Sequence, residues 1–242
     1  MIPKIIHYCW FGRGEKPKKI QECIDSWKKY LPDFKIIEWN EDNFDVEQFQ
    51  YTKDAYEAKK YAFVSDVARV KALYENGGFY FDTDVEVLKK IDVNFFNYHC
   101  LLGFELENYV ATSMMACEPH FYLMKEFYDL YKNLPFYDEN GNVITGTNVT
   151  KLTNMLEKKG LIRNNRLQTF QDITVYPIEY FSPYDYGSCI YEITKNSFCV
   201  HHFYVSWLPW YIKGKKLIKK ILIKIIGKNN MKRILYIFKN TK

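Results

Sequence analysis

The chain has 242 residues, 48% of them hydrophobic, with 34 Lys and Arg against 29 Asp and Glu and a formal net charge of +5. That length favours one domain with a sizeable core. The charge is uneven: no acidic residue follows Glu192, so residues 1–192 hold all 29 acids against 22 bases, a balance of −7. A mildly acidic body without a continuous basic groove argues against a nucleic-acid partner. No run reaches the roughly 18–20 apolar residues of a membrane span, and the early Pro3 and His7 argue against a signal peptide. The six Cys (Cys9, Cys23, Cys100, Cys117, Cys189, Cys199) lack metal-binding spacing and are expected to be reduced core residues of a cytosolic protein.

From the start, residues 2–12 read as a buried first strand running into a glycine loop at Gly12 and Gly14, with Trp10 free to stack on a base or to join the core. A helix is predicted over Lys18 to Tyr30, because Ile20, Cys23, Ile24, Trp27 and Leu31 share one face. Phe34 to Trp39 gives a second strand, which makes strand–helix–strand and the opening of a parallel sheet. Asn40 to Tyr51 reads as a loop with a short helix, and Tyr56 to Glu75 as one helix with a Phe63, Val67, Val70 and Tyr74 stripe. Ser65, Asp66 and Arg69 fall off that stripe but share a neighbourhood. They form either an exposed ion pair or a polar group directed into a cleft.

The stretch Asn76-Gly-Gly-Phe-Tyr-Phe-Asp82-Thr-Asp84 organises the rest. Asn-Gly-Gly ends the helix, three aromatics form a short strand, and Asp82 and Asp84 leave its far end on one side of an extended chain. Two adjacent carboxylates favour a hard divalent ion, Mn²⁺ or Mg²⁺, between them.

Beyond it, Val85 to Leu88 and Leu101 to Phe104 read as strands, Asn108 to Cys117 as a small polar stretch, and Phe121 to Tyr131 as a helix. The turn-rich Pro135 to Asn148 ends in Thr145-Gly-Thr-Asn148, ahead of a helix from Val149 to Lys159. That N-terminus either receives an anion or sugar hydroxyl or is simply capped. Ile173 to Tyr176, Tyr180-Phe181 and Phe198 to Val205 are strand-like. They lead to His201-His202, followed by Ser206-Trp207; adjacent His side chains on a strand face opposite ways, so one can enter the cleft while the other packs. Residues 213–242 carry eleven cations and no acid on two amphipathic pieces, the pattern of a helix lying on an anionic membrane surface or docked on the domain.

Together, residues 2–12, the Ser65-Asp66-x-x-Arg69 to Gly77-Gly78-x-Tyr80-x-Asp82-x-Asp84 block and His201-His202-x-x-x-Ser206-Trp207 resemble the Asp-x-Asp glycosyltransferases of family 32. That family includes bacterial capsular polysaccharide transferases, Och-type mannosyltransferases and, more distantly, the glucosylating domains of clostridial toxins. The resemblance spans residues 1 to about 210. It implies a GT-A fold, with a Rossmann-like mixed central sheet flanked by helices, a nucleotide-sugar donor, Mn²⁺ or Mg²⁺, and retention of configuration by front-face attack in which the leaving phosphate takes the acceptor's proton.

Carried over by residue, Trp10 would stack on the base, and Ser65, Asp66 and Arg69 would hold the donor sugar. Tyr80 and Asp82 would lie by the ribose and metal, and Asp84 would be the principal metal ligand. His201 or His202 would complete the coordination, while Ser206 and Trp207 would touch the diphosphate. The expected organisation is a catalytic domain over 1–212 and a membrane-surface tail over 213–242. The expected activity is transfer from a UDP-sugar to a glycan or lipid-linked oligosaccharide acceptor at the inner face of the membrane, in surface or capsular polysaccharide synthesis. The rival readings are an Asp-x-Asp phosphotransferase and a non-catalytic membrane- or polyanion-binding protein acting through its tail.

Overall fold

The computed structural model describes residues 1–204 other than 145 and 187, together with 227 and 230. Strand β1 (Ile5–Cys9) leads through helix α1 (Lys18–Tyr30) to β2 (Lys35–Trp39), and β1 and β2 pair in parallel with Ile6 opposite Ile36. The amphipathic face read from the sequence is the one α1 buries, with Ile20, Cys23, Ile24 and Trp27 inward. The single helix expected over Tyr56 to Glu75 is two, α2 (Gln50–Glu57) and α3 (Tyr61–Asn76). Lys59 breaks it with φ of 56°, and the Lys60 N–H folds back onto the Ala55 carbonyl. Periodicity carried across a two- or three-residue break looks continuous in sequence.

Strand β3 (Gly78–Phe81) follows α3, and β4 (Val85–Val87) follows the carboxylates. The later elements are β5 (Cys100–Gly103), β6 (Met114–Cys117), α4 (Tyr122–Leu130), α5 (Asn148–Glu157), β7 (Gln168–Phe170) and β8 (Ile173–Tyr176). After them come the short α6 (Ile178–Phe181), the hairpin β9 (Tyr184–Asp185) with β10 (Ile190–Tyr191), and β11 (Cys199–His201). Two of these differ from expectation. Tyr180-Phe181 is helical behind Pro177, whose fixed φ suits a helix start. The stretch expected to be small and polar over 108–117 contains β6, a central strand of Met-Met-Ala-Cys that intrinsic propensity does not signal.

The seven-stranded sheet runs β2-β1-β3-β6-β5-β8-β7, with β6 antiparallel between β3 and β5. This is a mixed central sheet flanked by helices, the GT-A-like, Rossmann-type architecture. Along β3 the faces alternate: Phe79 and Phe81 join the core under α1, whereas Tyr80 joins the core under α2 to α5. The register His7 opposite Tyr80 puts Trp10 and Asp82 at the same carboxyl edge of the parallel strands. β4 and β11 form a separate antiparallel pair that carries His201 opposite Val85. α1 supports that pair, since the Trp27 Nε1–H donates to the Val85 carbonyl at 2.7 Å and the Val87 N–H to the Ser26 hydroxyl at 2.9 Å.

The turn into β3 is tied down by His7, whose Nε2 lies 2.9 Å from the Gly77 carbonyl while its Nδ1 receives the Trp39 indole N–H at 3.0 Å. That pattern fixes a neutral imidazole with its proton on Nε2, and burial lowers its pKa to about 4. Gly77 and Gly78 have φ of 61° and 95°. A Cβ at Gly78 would sit 2.7 Å from the Ile5 carbonyl oxygen of the neighbouring strand. Gly78→Ala should therefore lower the free energy of unfolding in urea by about 1–3 kcal/mol, from positive φ together with overpacking against backbone. All six Cys are buried and unpaired with one another. No helix among the described residues is long and apolar enough to cross a membrane. Ser206, Trp207 and all of the 213–242 tail except 227 and 230 lie outside the described residues.

Candidate active site

The middle of α3, the turn after β3 and the end of β11 meet at one place. Asp82, Thr83 and Asp84 form a turn, closed by the Val85 N–H on the Asp82 carbonyl at 2.9 Å, rather than the extended chain expected. The two carboxylates converge through that turn instead of through strand alternation. One ligand atom from each of Asp82, Asp84 and His201 falls within 4.8 Å of the other two, a donor set that could hold a divalent ion. Two carboxylates and one imidazole suit Mn²⁺ better than Mg²⁺, which prefers oxygen. The His201 Nδ1 is buried without a hydrogen-bond partner among the described residues, as a nitrogen kept for a ligand would be.

The adjacent histidines divide. His201 Nε2 is 3.2 Å from Asp84 Oδ1, and its ring lies against Phe203 at 3.8 Å between centroids. His202 faces away, its Nε2 on Glu86 and its Nδ1 on the Tyr191 hydroxyl, each at 2.9 Å, with Tyr204 stacked on the ring. The structure thus brings His201 to the carboxylates and leaves His202 as a packing and hydrogen-bonding residue of the β4–β11 pair. Asp84 is also fixed by its backbone, for its Oδ2 accepts the Tyr204 N–H at 2.8 Å. Burial alone would raise its pKa, but His201 and that N–H outweigh burial and hold it near 2. The same pairing raises the pKa of His201 against the opposite pull of burial.

Beside this cluster lies Arg69. Its guanidinium is 3.0 Å from Asp66 and 3.2 Å from Asp82, and it donates to the Thr112 carbonyl at 2.8 Å and the Ser65 carbonyl at 3.2 Å. It lies over the Tyr80 ring, 4.7 Å from the centroid. The ion pair foreseen from i, i+3 spacing exists, but it is nearly buried in the site rather than on a solvated face. Tyr80 is itself 1% exposed and acts through its hydroxyl, which donates to Asp82 at 3.0 Å. Burial pushes the Asp66 carboxyl up to about 7, while Arg69 pulls the other way. Ser65 turns its hydroxyl back to the Tyr61 carbonyl and contributes to the site through its own carbonyl. Trp10 is half-buried at the carboxyl edge of β1, its Nε1–H on the Gly14 carbonyl and Lys16 5.6 Å from its ring.

Two site residues escaped sequence reasoning. Asn148, the first residue of α5, donates from Nδ2 to Asp66 at 2.6 Å, with Thr147 capping the helix beside it. Its signal was the Thr-Gly-Thr-Asn ahead of a helix, which a cap alone would also explain. Glu105 follows the isolated Phe104–Val110 bridge at the end of β5, and burial raises its carboxyl to about 7 even with His201 and Arg69 opposing. A lone acid after an apolar strand gave no signal.

Residues 17–100 match the family model described as a glycosyltransferase sugar-binding region containing a DXD motif. A comparison with curated proteins finds no match. Among solved structures, the chain is similar to the PaToxG glycosyltransferase, with 20% identity, 66% of this chain and 69% of that chain covered, and a TM-score of 0.51. It is also similar to a glycosyltransferase involved in glycosylating the major capsid of PBCV-1, with 11% identity, 83% and 94% coverage and a TM-score of 0.46. At these identities the first likeness speaks for the fold alone. The class is therefore a GT-A-like glycosyltransferase fold. This chain carries on it a DXD-type sugar-binding region and an Asp/Asp/His cluster able to bind a divalent cation.

A metal replacing the His201 proton must compete with the Asp84 contact that raises that pKa. Mn²⁺ affinity should thus fall as pH drops through the His201 pKa and level off above it, with proton release on binding. His201→Ala should weaken Mn²⁺ binding about 100-fold or more, whereas His202→Ala should leave it nearly unchanged. Titration of free Mn²⁺ by paramagnetic resonance reads both.

Proposed function

We propose that this chain is a metal-dependent, retaining glycosyltransferase of family 32 that takes a sugar from a nucleotide-sugar donor, with UDP as the nucleotide. The observation that carries this reading is the juxtaposition of Asp82, Asp84 and His201 with the Asp66–Arg69–Asn148 group. A divalent ion at the first three would neutralise charge on the departing diphosphate. Asp66 and Asn148 would hold sugar hydroxyls, and Asp66 would steady positive charge developing on the sugar ring. Trp10 would stack on the base at the strand edge, and Ser206 and Trp207 would donate to the diphosphate.

The acceptor in this reading is a glycan, lipid-linked, and the setting is bacterial surface or capsular polysaccharide assembly at the inner membrane face. The basic tail over 213–242 supports that setting by its charge, each cation adding about 1 kcal/mol of attraction near an anionic surface. The phosphotransferase reading fits less well. Its nucleophile would be Asp82, whose Oδ1 is already engaged by Arg69 and Tyr80.

Isothermal titration with UDP and with GDP, each with and without Mn²⁺, tests the proposal. Binding of UDP that requires Mn²⁺ and is lost in Asp84→Ala is expected; a preference for GDP would redirect the donor class to mannose or fucose. A folded protein that binds neither would overturn the reading. Asp66→Asn should lower kcat at least tenfold, roughly the loss of one charge-stabilising contact, with Mn²⁺ binding intact.

A further inference from the structure

Ser113, at the entry to β6, is 3% exposed, and its hydroxyl is buried without a hydrogen-bond partner among the described residues. Its backbone is engaged. The Ser113 carbonyl accepts the Asp82 N–H at 2.8 Å, which extends by one pair the β3–β6 register that sets Phe81 opposite Met114. Ser113 therefore stands directly opposite Asp82. Opposed residues of an antiparallel pair point to the same face, and residues two apart on a strand share one. Met115 and Tyr80 lie in the core under α2 to α5, whereas Met114 and Phe81 lie in the core under α1. The alternation along β6 thus puts the Ser113 hydroxyl on the face of Tyr80, where the Tyr80 hydroxyl reaches Asp82 at 3.0 Å.

A buried hydroxyl without a partner is uncommon and calls for an explanation. The polar groups around it are already committed. The Thr112 carbonyl accepts Arg69 at 2.8 Å, and Asp84 is held by His201 and the Tyr204 N–H. Asp82 is held by Tyr80 and by Arg69, whose Nη1 is 3.2 Å from Oδ1 and 3.4 Å from Oδ2. A divalent cation shared by Asp82, Asp84 and His201 competes with Arg69 for Asp82, because the two cations repel each other across one carboxylate. A neutral donor meets no such repulsion, and a hydroxyl hydrogen rotates to suit its acceptor. We infer that Ser113 is a positioning residue of the metal site, its hydroxyl donating to the Asp82 carboxylate when a divalent cation is bound and so fixing Asp82 as a ligand. This rests on the metal-dependent glycosyltransferase reading above.

Ligating carboxylates are held by outer hydrogen bonds of this kind, and losing one costs about 10- to 100-fold in metal affinity. In the metal-free protein the same hydroxyl has no bond to lose. Replacing it there by an apolar group removes a buried unsatisfied donor, a change that is close to neutral or stabilising. Removal of the hydroxyl therefore acts on the metal-bound form and spares the metal-free one. A side chain that only filled space in the core would act on both alike.

The test uses Mn²⁺ alone as the probe, on the full chain, with no sugar or acceptor required. Free Mn²⁺ is titrated by paramagnetic resonance, and thermal unfolding is followed with and without Mn²⁺. Ser113→Ala should weaken Mn²⁺ binding about tenfold, leave the metal-free Tm unchanged or higher, and shrink the rise in Tm that Mn²⁺ gives. Ser113→Cys fills nearly the same space with a weak donor and should behave as Ser113→Ala does. Three results would each overturn the inference alone: Mn²⁺ affinity unchanged in Ser113→Ala, affinity lost there but kept in Ser113→Cys, or a metal-free Tm lowered with the Mn²⁺-induced rise intact. Absence of Mn²⁺ binding in the wild type would overturn the metal-dependent reading along with it.

Discussion

Arg69 is a cation with almost no access to water, and the arrangement of the site follows from how its charge is met. A buried guanidinium needs both opposite charge and hydrogen-bond acceptors for its donors. Asp66 and Asp82 supply the charge, the Ser65 and Thr112 carbonyls supply acceptors, and the face of Tyr80 covers the plane. Those partners come from three parts of the chain, so satisfying one side chain draws α3, β3 with the turn after it, and the segment before β6 together. Without it, Asp66 and Asp82 would lose the cation they share. The burial of Arg69 in this pairing is weak evidence for net stability but strong evidence for a defined geometry.

The sheet supplies the rest. β3 is the boundary strand, parallel to β1 on one side and antiparallel to β6 on the other. Parallel pairing with β1 brings the loop bearing Trp10 to the edge where the carboxylates emerge. Antiparallel pairing with β6 places the chain entering β6 at that same edge, where its carbonyls meet Arg69 and the Asp82 N–H. α5 braces the far wall at two points: Asn148 holds Asp66, and the Thr153 hydroxyl accepts the Val110 N–H at 2.9 Å, just beyond the turn that carries Glu105.

Much of this was legible in the sequence where local rules and tertiary demands agree. β1, α1, β2 and the glycine-terminated α3 follow from periodicity and from the two glycines, and Asp66, Arg69, Asp82, Asp84 and one of the His201-His202 pair are expected in one site. What escaped was tertiary in origin. β6 is a strand because its neighbours on both sides need a partner, and Met-Met-Ala-Cys announces nothing by itself. Asn148 looks like the start of any helix until Asp66 is known to face it. The choice between His201 and His202 depends on the register of β11 against β4, which sets Cys199 opposite Val87 and His201 opposite Val85; no local pattern encodes a pairing across more than a hundred residues.

That long-range pairing gives the metal cluster a second character. Asp82 and His201 close a loop that contains every strand from β4 to β10, and β4 and β11 hold its two ends with three residues each. Closing so long a loop carries an entropic cost that short strands repay only in part. Any cation bridging the carboxylates and His201 would act as a clasp on that closure and stabilise the folded form in proportion to its occupancy. The site is therefore the point at which the chain's late-made strand is fastened to its early-made half, and ligand occupancy and the cohesion of the domain are one equilibrium viewed from two ends.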